Sequence, residues 1–210
     1  MSSEPSPISV LVVDDHPVVR RGIAALIATE SDMSVVGEAT TGREALRQFR
    51  THRPDITLMD LQMPEMSGFD AISAIRAESP EARIIVLTTY VGDVQVLRAL
   101  KAGARGYLLK NSLHRELLET IRAVHAGKKA LSPEASCELA EHATDEALTP
   151  SEIRVLHLIA EGDANKEIAA KLSLSEGTVK GQVRNIISKL QAKDRTQAAM
   201  IALRRGIIGV

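Results

Sequence analysis

Five side chains with chemical potential stand where buried runs of the chain come to an end. Asp14 and Asp15 follow Ile8–Val13, and Asp60 follows Ile56–Met59. Thr88 closes the run from Arg83, and Lys110 follows the run Arg105–Leu109. If those runs are neighbouring parallel strands, three carboxylates meet on one sheet edge. Like charges at close range raise each other's free energy unless a cation sits among them. A cluster of hard oxygens with open positions suits Mg²⁺, which keeps part of its water shell and binds through one or two carboxylates. An Asp beside such an ion can attack phosphorus and form an aspartyl phosphate. Thr88 can offer a hydroxyl to a phosphoryl oxygen, and Lys110 can pair with it as a point charge. The alternative for any one of these acids is a solvated residue at a strand end. Three of them at adjoining ends argue against it.

The placement rests on alternation. Short apolar runs (ISVLVV, Met33–Glu38, Ile56–Met59, RIIVLT, RGYLL) read as strands buried on both faces. Between and after them, helical periodicity is expected at Pro17–Ile27, Gly42–Phe49, Phe69–Ala77, Val91–Ala102 and Leu113–His125. The first of these helices carries an apolar face of Val18, Val19, Ile23, Leu26 and Ile27. Met63-Pro64 and Ser67-Gly68 force a turn directly after Asp60. Strands alternating with helices give a doubly wound parallel sheet of five strands, in the order 2-1-3-4-5. Right-handed crossovers bring every strand's C-terminal end to one edge, where open α/β sheets bind ligands.

The pattern breaks at Gly127-Lys128-Lys129. A short polar helix from Ser132-Pro133 to about His142 follows, then a connector to Leu148. Thr149-Pro150-Ser151-Glu152 forms a capping box for a helix that Gly162 ends. Three more helices are expected at Asn165–Leu172, Glu176–Gln191 and Arg195–Arg205. The second and third of the four, joined by Ser173–Ser175, match a helix-turn-helix. The last offers small residues, Ala198, Ala199 and Ala202 with Ile201, either as a dimer face or for packing inside its own domain.

Charge divides along the same boundary. Residues 1–147 hold 16 basic and 21 acidic side chains, a net of −5, and residues 148–210 hold 10 and 6, a net of +4. A basic second domain is compatible with a polyanionic partner and equally with ordinary solubility. Cys137 is the single cysteine, so no internal disulfide can form, as suits a reducing compartment. The leader MSSEPSPIS has neither the basic nor the apolar region of a secretion signal and reads as disordered. No apolar run reaches membrane-spanning length.

Taken together, VVDDHPVVR, LMDLQMPEMSG, VLTTY and GYLLK resemble the receiver domain of two-component response regulators. The second half, with LTPSEIRVLHLIAEG, NKEIAAKLSLSEGTVKGQVRNIISKL and DRTQAA, resembles the LuxR-type helix-turn-helix of the NarL/FixJ regulators. The resemblance implies a flavodoxin-like receiver over 8–126, a linker with a short helix over 127–147, and a four-helix DNA-binding domain over 148–210. It implies that Asp60 is the phosphoacceptor for a sensor histidine kinase. Mg²⁺ would be held by Asp15, Asp60 and the backbone carbonyl of Gln62, with Asp14 acting through water. Thr88 and Tyr107 would be switch residues, and Lys110 the phosphate partner.

In the second domain, Lys180, Gly181 and Arg184 lie roughly on one exposed face of the recognition helix. Lys180 and Arg184 are candidates for base edges, and Lys166, Thr178 and Lys189 for phosphates. The implied protein is a cytoplasmic transcription factor that binds double-stranded DNA as a dimer, with RNA polymerase as a further partner and no membrane association. It is not an enzyme, beyond taking phosphoryl from a donor and losing it slowly. Three positions depart from the family pattern. Asn111 stands where Pro often follows the lysine, leaving a cis peptide there open. Gln182 replaces a common His, and Gly181 replaces a larger side chain, at ~1 kcal/mol of helix propensity. Two other readings remain: a DNA-binding regulator that has no need of phosphorylation, and a turnover phosphatase acting through an aspartyl phosphate.

Overall fold

In the computed structural model, residues 6–89 and 92–209 are described. The leader's first five residues, and the expected start of the fourth helix at Val91, lie outside them. The chain divides into two compact units. Among described residues, one comprises 6–89 and 96–136, and the other 92–95 and 137–209.

In chain order the elements begin with β1 (Ile8–Val13), α1 (Pro17–Ile27), β2 (Met33–Ala39), α2 (Gly42–His52) and β3 (Ile56–Asp60). There follow α3 (Gly68–Glu78), β4 (Ile84–Thr88), α4 (Asp93–Ala102), β5 (Gly106–Leu109) and α5 (Leu113–His125). Every strand pairing is parallel, and the sheet order is β2-β1-β3-β4-β5 with a further strand, β6 (Ala130–Leu131), beside β5. β3, β4 and β5 are wholly buried because helices cover both faces, which is why they read as apolar runs. On one face Val10, Val12, Leu58, Ile85 and Leu87 meet Ile23 and Ile27 of α1 and Leu117, Ile121 and Val124 of α5.

Two expectations need correction. The sheet has six strands, not five. Within the stretch read as a linker, β6 (Ala130–Leu131) pairs with the outer edge of β5. Ala130 N–H donates to Arg105 O at 3.0 Å and Ser132 N–H to Tyr107 O at 2.9 Å. Two residues are too few to show a period, so composition could not announce this strand. Val18 is not part of the apolar face of α1: it is 82% exposed, while Ile23 and Ile27 are buried. It lies on the outer side of the helix's first turn, where its neighbour Val19 already packs against the core.

The helical unit contains α7 (Pro150–Ala160), α8 (Asn165–Leu172), α9 (Glu176–Lys189) and α10 (Arg195–Arg205), preceded by α6 (Pro133–Glu141). The capping box at Thr149 forms as expected, with Thr149 Oγ1 accepting from Glu152 N–H and Glu152 Oε2 from Thr149 N–H. Ser173 takes a left-handed conformation (φ 55°) and turns the chain between α8 and α9. Ala198, Ala199 and Ala202 are buried in the domain's own core with Val155, Leu156 and Ile186. Their small size lets α10 pack closely inside its domain, so they do not form a dimer face. No described peptide bond is cis, Lys110–Asn111 included.

The turn after Asp60 depends on a glycine. A Cβ on Gly68 would lie 2.0 Å from the Asp60 carbonyl oxygen. At Gly22, exposed in α1, a Cβ would meet nothing within 4 Å. Gly68→Ala should therefore destabilise the chain by about 1–3 kcal/mol, the scale of overpacking. Gly22→Ala should stabilise it by up to about 1 kcal/mol. Urea unfolding midpoints of the two variants check both signs.

Candidate functional site

Strand register assembles the acidic edge. Val13 is opposite Met59 and Asp60 is opposite Leu87, so the residues after β1, at the end of β3 and at the end of β4 lie side by side. Thr88 is opposite Leu109, and Lys110 follows directly. Asp14, Asp60 and Thr88 are all nearly inaccessible, at 0%, 3% and 3% exposed. Lys110 Nζ lies 2.7 Å from Asp14 Oδ2 and 2.8 Å from Asp60 Oδ2. Of the five side chains singled out in the sequence, Asp14, Asp15, Asp60 and Lys110 therefore converge, and Thr88 closes the adjoining strand. Carboxylate oxygens of Asp14, Asp15 and Asp60 and a ring nitrogen of His16 lie within 4.8 Å of one another.

The electrostatics follow from two carboxylates sharing one ammonium. Burial drives the Asp60 carboxyl above its usual range, and Asp14 adds to this. Lys110 and the Gln62 N–H pull the other way without cancelling it. Burial alone would lower the Lys110 pKa, but Asp14 and Asp60 together raise it. The two directions agree physically: the lysine has two anionic partners, whereas Asp60 has a share of one cation and a like-charged neighbour.

Asp14 Oδ2 and Asp15 Oδ1 are buried and accept no well-directed hydrogen bond. Lys110 Nζ lies 2.7 Å from the first and His16 Nδ1 2.6 Å from the second. A pocket of under-satisfied hard oxygens around one lysine fits a small divalent cation.

Tyr107 is fully buried in β5 rather than half-packed at the surface. Burial raises its phenol above the ordinary value, and a hydrogen bond with Thr88 partly offsets this. The switch pair implied by the resemblance is thus in contact. Two neighbours were not singled out in the sequence. His16 was legible as the residue after Asp15. Arg20, a turn into α1, donates from Nη1 to Asp14 O at 2.7 Å and holds the end of β1.

In the helical unit, Ser175 Oγ accepts from Thr178 N–H and starts α9. Lys180, Gly181 and Arg184 are exposed, as are Lys166 on α8 and Thr178. Lys180 pairs with Glu176 at 2.9 Å, an exposed i,i+4 pair weak enough to yield to a stronger partner. Lys189 departs from expectation. Its Nζ turns inward to Glu152, Glu146 and Ala147 O instead of facing solvent.

Comparison with known proteins gives the family. Residues 10–122 match the response regulator receiver domain, and residues 146–202 match the bacterial regulatory proteins of the luxR family. The chain belongs to the two-component response regulators that carry a LuxR-type helix-turn-helix, and it is a DNA-binding transcription regulator. It is 44% identical to the uncharacterized transcriptional regulatory protein YhcZ of Bacillus subtilis, over 96% of this chain and 98% of that one. Identity to the response regulator protein VraR of Staphylococcus aureus is 38%, over 96% and 99%. Among solved structures, an RcsB–DNA complex matches with a TM-score of 0.74 at 28% identity, covering 93% of this chain and 98% of that one. A LuxR-family response regulator from Aurantimonas sp. matches with a TM-score of 0.64 at 40% identity, covering 67% and 100%. No helix among the described residues is long and apolar enough to cross a membrane.

A raised carboxyl pKa fixes a sign for stability. Charged Asp60 costs the fold free energy at pH values above its folded pKa, and the cost vanishes below its unfolded value near 3.8. In the presence of a chelator, Asp60→Asn should melt above wild type at pH 7. The gap should narrow as pH falls toward 4. A variant that melts below wild type at pH 7 would refute this account of the edge.

Proposed function

We propose that Asp60 is the phosphoacceptor and that its phosphorylation switches DNA binding by the helical domain. The observation that carries this is the pair of contacts from one buried lysine, at 2.7 and 2.8 Å, to carboxylates at the ends of adjacent parallel strands. Asp60, Asp15 and the Gln62 backbone carbonyl would hold Mg²⁺, with Asp14 acting through water. When bound, the ion would neutralise charge on the phosphoryl oxygens. An Asp60 oxygen attacks phosphorus as the bond to the donor breaks, the donor being a phosphohistidine of a sensor kinase. The leaving imidazole carries away the electron pair. Lys110 exchanges its contact with the Asp60 carboxylate for one with a phosphoryl oxygen. The Thr88 hydroxyl donates to another, and Tyr107, in contact with Thr88, repacks in response. The protein is cytoplasmic, binds double-stranded DNA as a dimer on two half-sites, and acts on RNA polymerase there.

Solved relatives support the output half: in one structure two RcsB dimers are bound to two parallel DNAs. On α9, Arg184 and Lys180 read base edges, Gly181 leaves room beside them, and Lys166 and Thr178 contact phosphates. Lys189, saturated by contacts inside its own domain, is withdrawn from the phosphate set. With a small phosphodonor and Mg²⁺, wild type should bind its operator more tightly, whereas Asp60→Asn should not respond. Equal binding by both would favour a regulator that does not use phosphorylation. Arg184→Ala should cost about 1–3 kcal/mol of operator binding and relax one base position. Lys166→Ala should weaken all duplexes alike and make the salt dependence shallower. Gel-shift titrations over a salt series separate these outcomes.

A further inference from the structure

Helix α9 is fastened to the start of α7 by two polar side chains. Gln182 Nε2 donates to Ser151 Oγ at 2.8 Å. Lys189 Nζ reaches Glu152 Oε2 at 3.0 Å, Glu146 Oε1 at 3.1 Å and Ala147 O at 3.2 Å. Two of these are hydrogen bonds and the third, to Glu146, is an ion pair, so the ammonium is occupied from three sides. The Lys189 side chain is 13% exposed. Glu152 is buried, and burial opposes its charge. The Thr149 N–H and Lys189 outweigh that burial and hold its carboxyl below the usual range. Moving Lys189 to a phosphate would leave that carboxylate without its cation.

Helical geometry places these contacts behind the reading face. Residues seven apart lie about 20° from one another around an α-helix, so Gln182 and Lys189 share a side. Residues two apart differ by about 160°, which sets Lys180 and Arg184 on the far side from Gln182. Burial agrees: Lys180 and Arg184 are exposed, whereas Gln182 and Lys189 are partly buried.

We propose that Gln182 and Lys189 are positioning residues that fix the rotation of α9 about its axis, so that Arg184 and Lys180 meet base edges, while neither of the two touches DNA. The proposal rests on α9 being the recognition helix. Lys189 also ties down the connector at Glu146 and Ala147, so the lead into α7 and the end of α9 are set by one side chain.

The test uses the full chain activated by a phosphodonor. Its probes are an operator selected from random duplexes with phosphorylated wild type, and an unselected random duplex. Lys189→Met and Gln182→Leu should lose roughly tenfold or more in operator affinity, the scale of a mismatched base pair. Their random-duplex affinity and the slope of log affinity against log salt should stay as in wild type. A slope shallower by about 0.9 per lost contact in Lys189→Met would make Lys189 a phosphate ligand and overturn its assignment. Ser151→Ala, altered on the opposite side of the same hydrogen bond, should reproduce the Gln182→Leu loss, and combining the two should add nothing. If Gln182→Leu weakens operator binding and Ser151→Ala does not, Gln182 contacts DNA itself and its assignment is overturned. Should Lys189→Met not fold by circular dichroism, the Ser151 and Gln182 variants decide the matter. Arg184→Ala with unchanged operator affinity would instead show that α9 is not the reading helix.

Discussion

One ammonium between two buried carboxylates governs the first domain. Asp14 and Asp60 are brought together by register, because β1 and β3 are parallel neighbours and both end at the same level. Each would repel the other in a space that water barely reaches. Lys110 answers both at once, and it can do so only because β5 ends beside β4, with Lys110 N–H donating to Thr88 O at 2.7 Å. The arrangement is stable but not relaxed, since the Asp60 carboxyl still lies above its ordinary range. A site of this kind is ready for chemistry. The proposed cation and phosphoryl group would give its carboxylate oxygens further partners and its lysine an anion to exchange for Asp60.

The helical domain solves a different problem with similar means. It must hold one helix at a fixed rotation while leaving that helix's outer face open. Val179 and Ile186 supply the apolar contact from α9, but aliphatic packing tolerates small rotations. Directional contacts from Gln182 and Lys189 to the first turn of α7 do not. The capping box at Thr149 therefore starts a helix and also presents Glu152 as the anchor for α9.

Much of this was legible in the sequence. Apolar runs with acids at their ends gave the strand order and all five edge residues, because buried parallel strands leave few places for a polar side chain. Three features were not legible. A two-residue strand, β6, carries no period. The alanines of α10 are suited to a subunit interface and to an interior alike, and only the fold shows them packed against Val155 and Leu156. Lys189 looks in sequence like any lysine at the end of a basic helix. Its partner Glu152 lies 37 residues away, and the same Glu had already been accounted for as a cap.

On the proposed reading, Asp60 carries the phosphoryl group. The direct measurement is to treat the full chain with a small phosphodonor and Mg²⁺, trap the acyl phosphate by hydride reduction, and map the modified residue by peptide mass spectrometry. Reduction is expected at Asp60 alone, lost in Asp60→Asn and lost when a chelator replaces Mg²⁺. Modification at Asp14 or Asp15 instead, or an adduct that persists in Asp60→Asn, would contradict it.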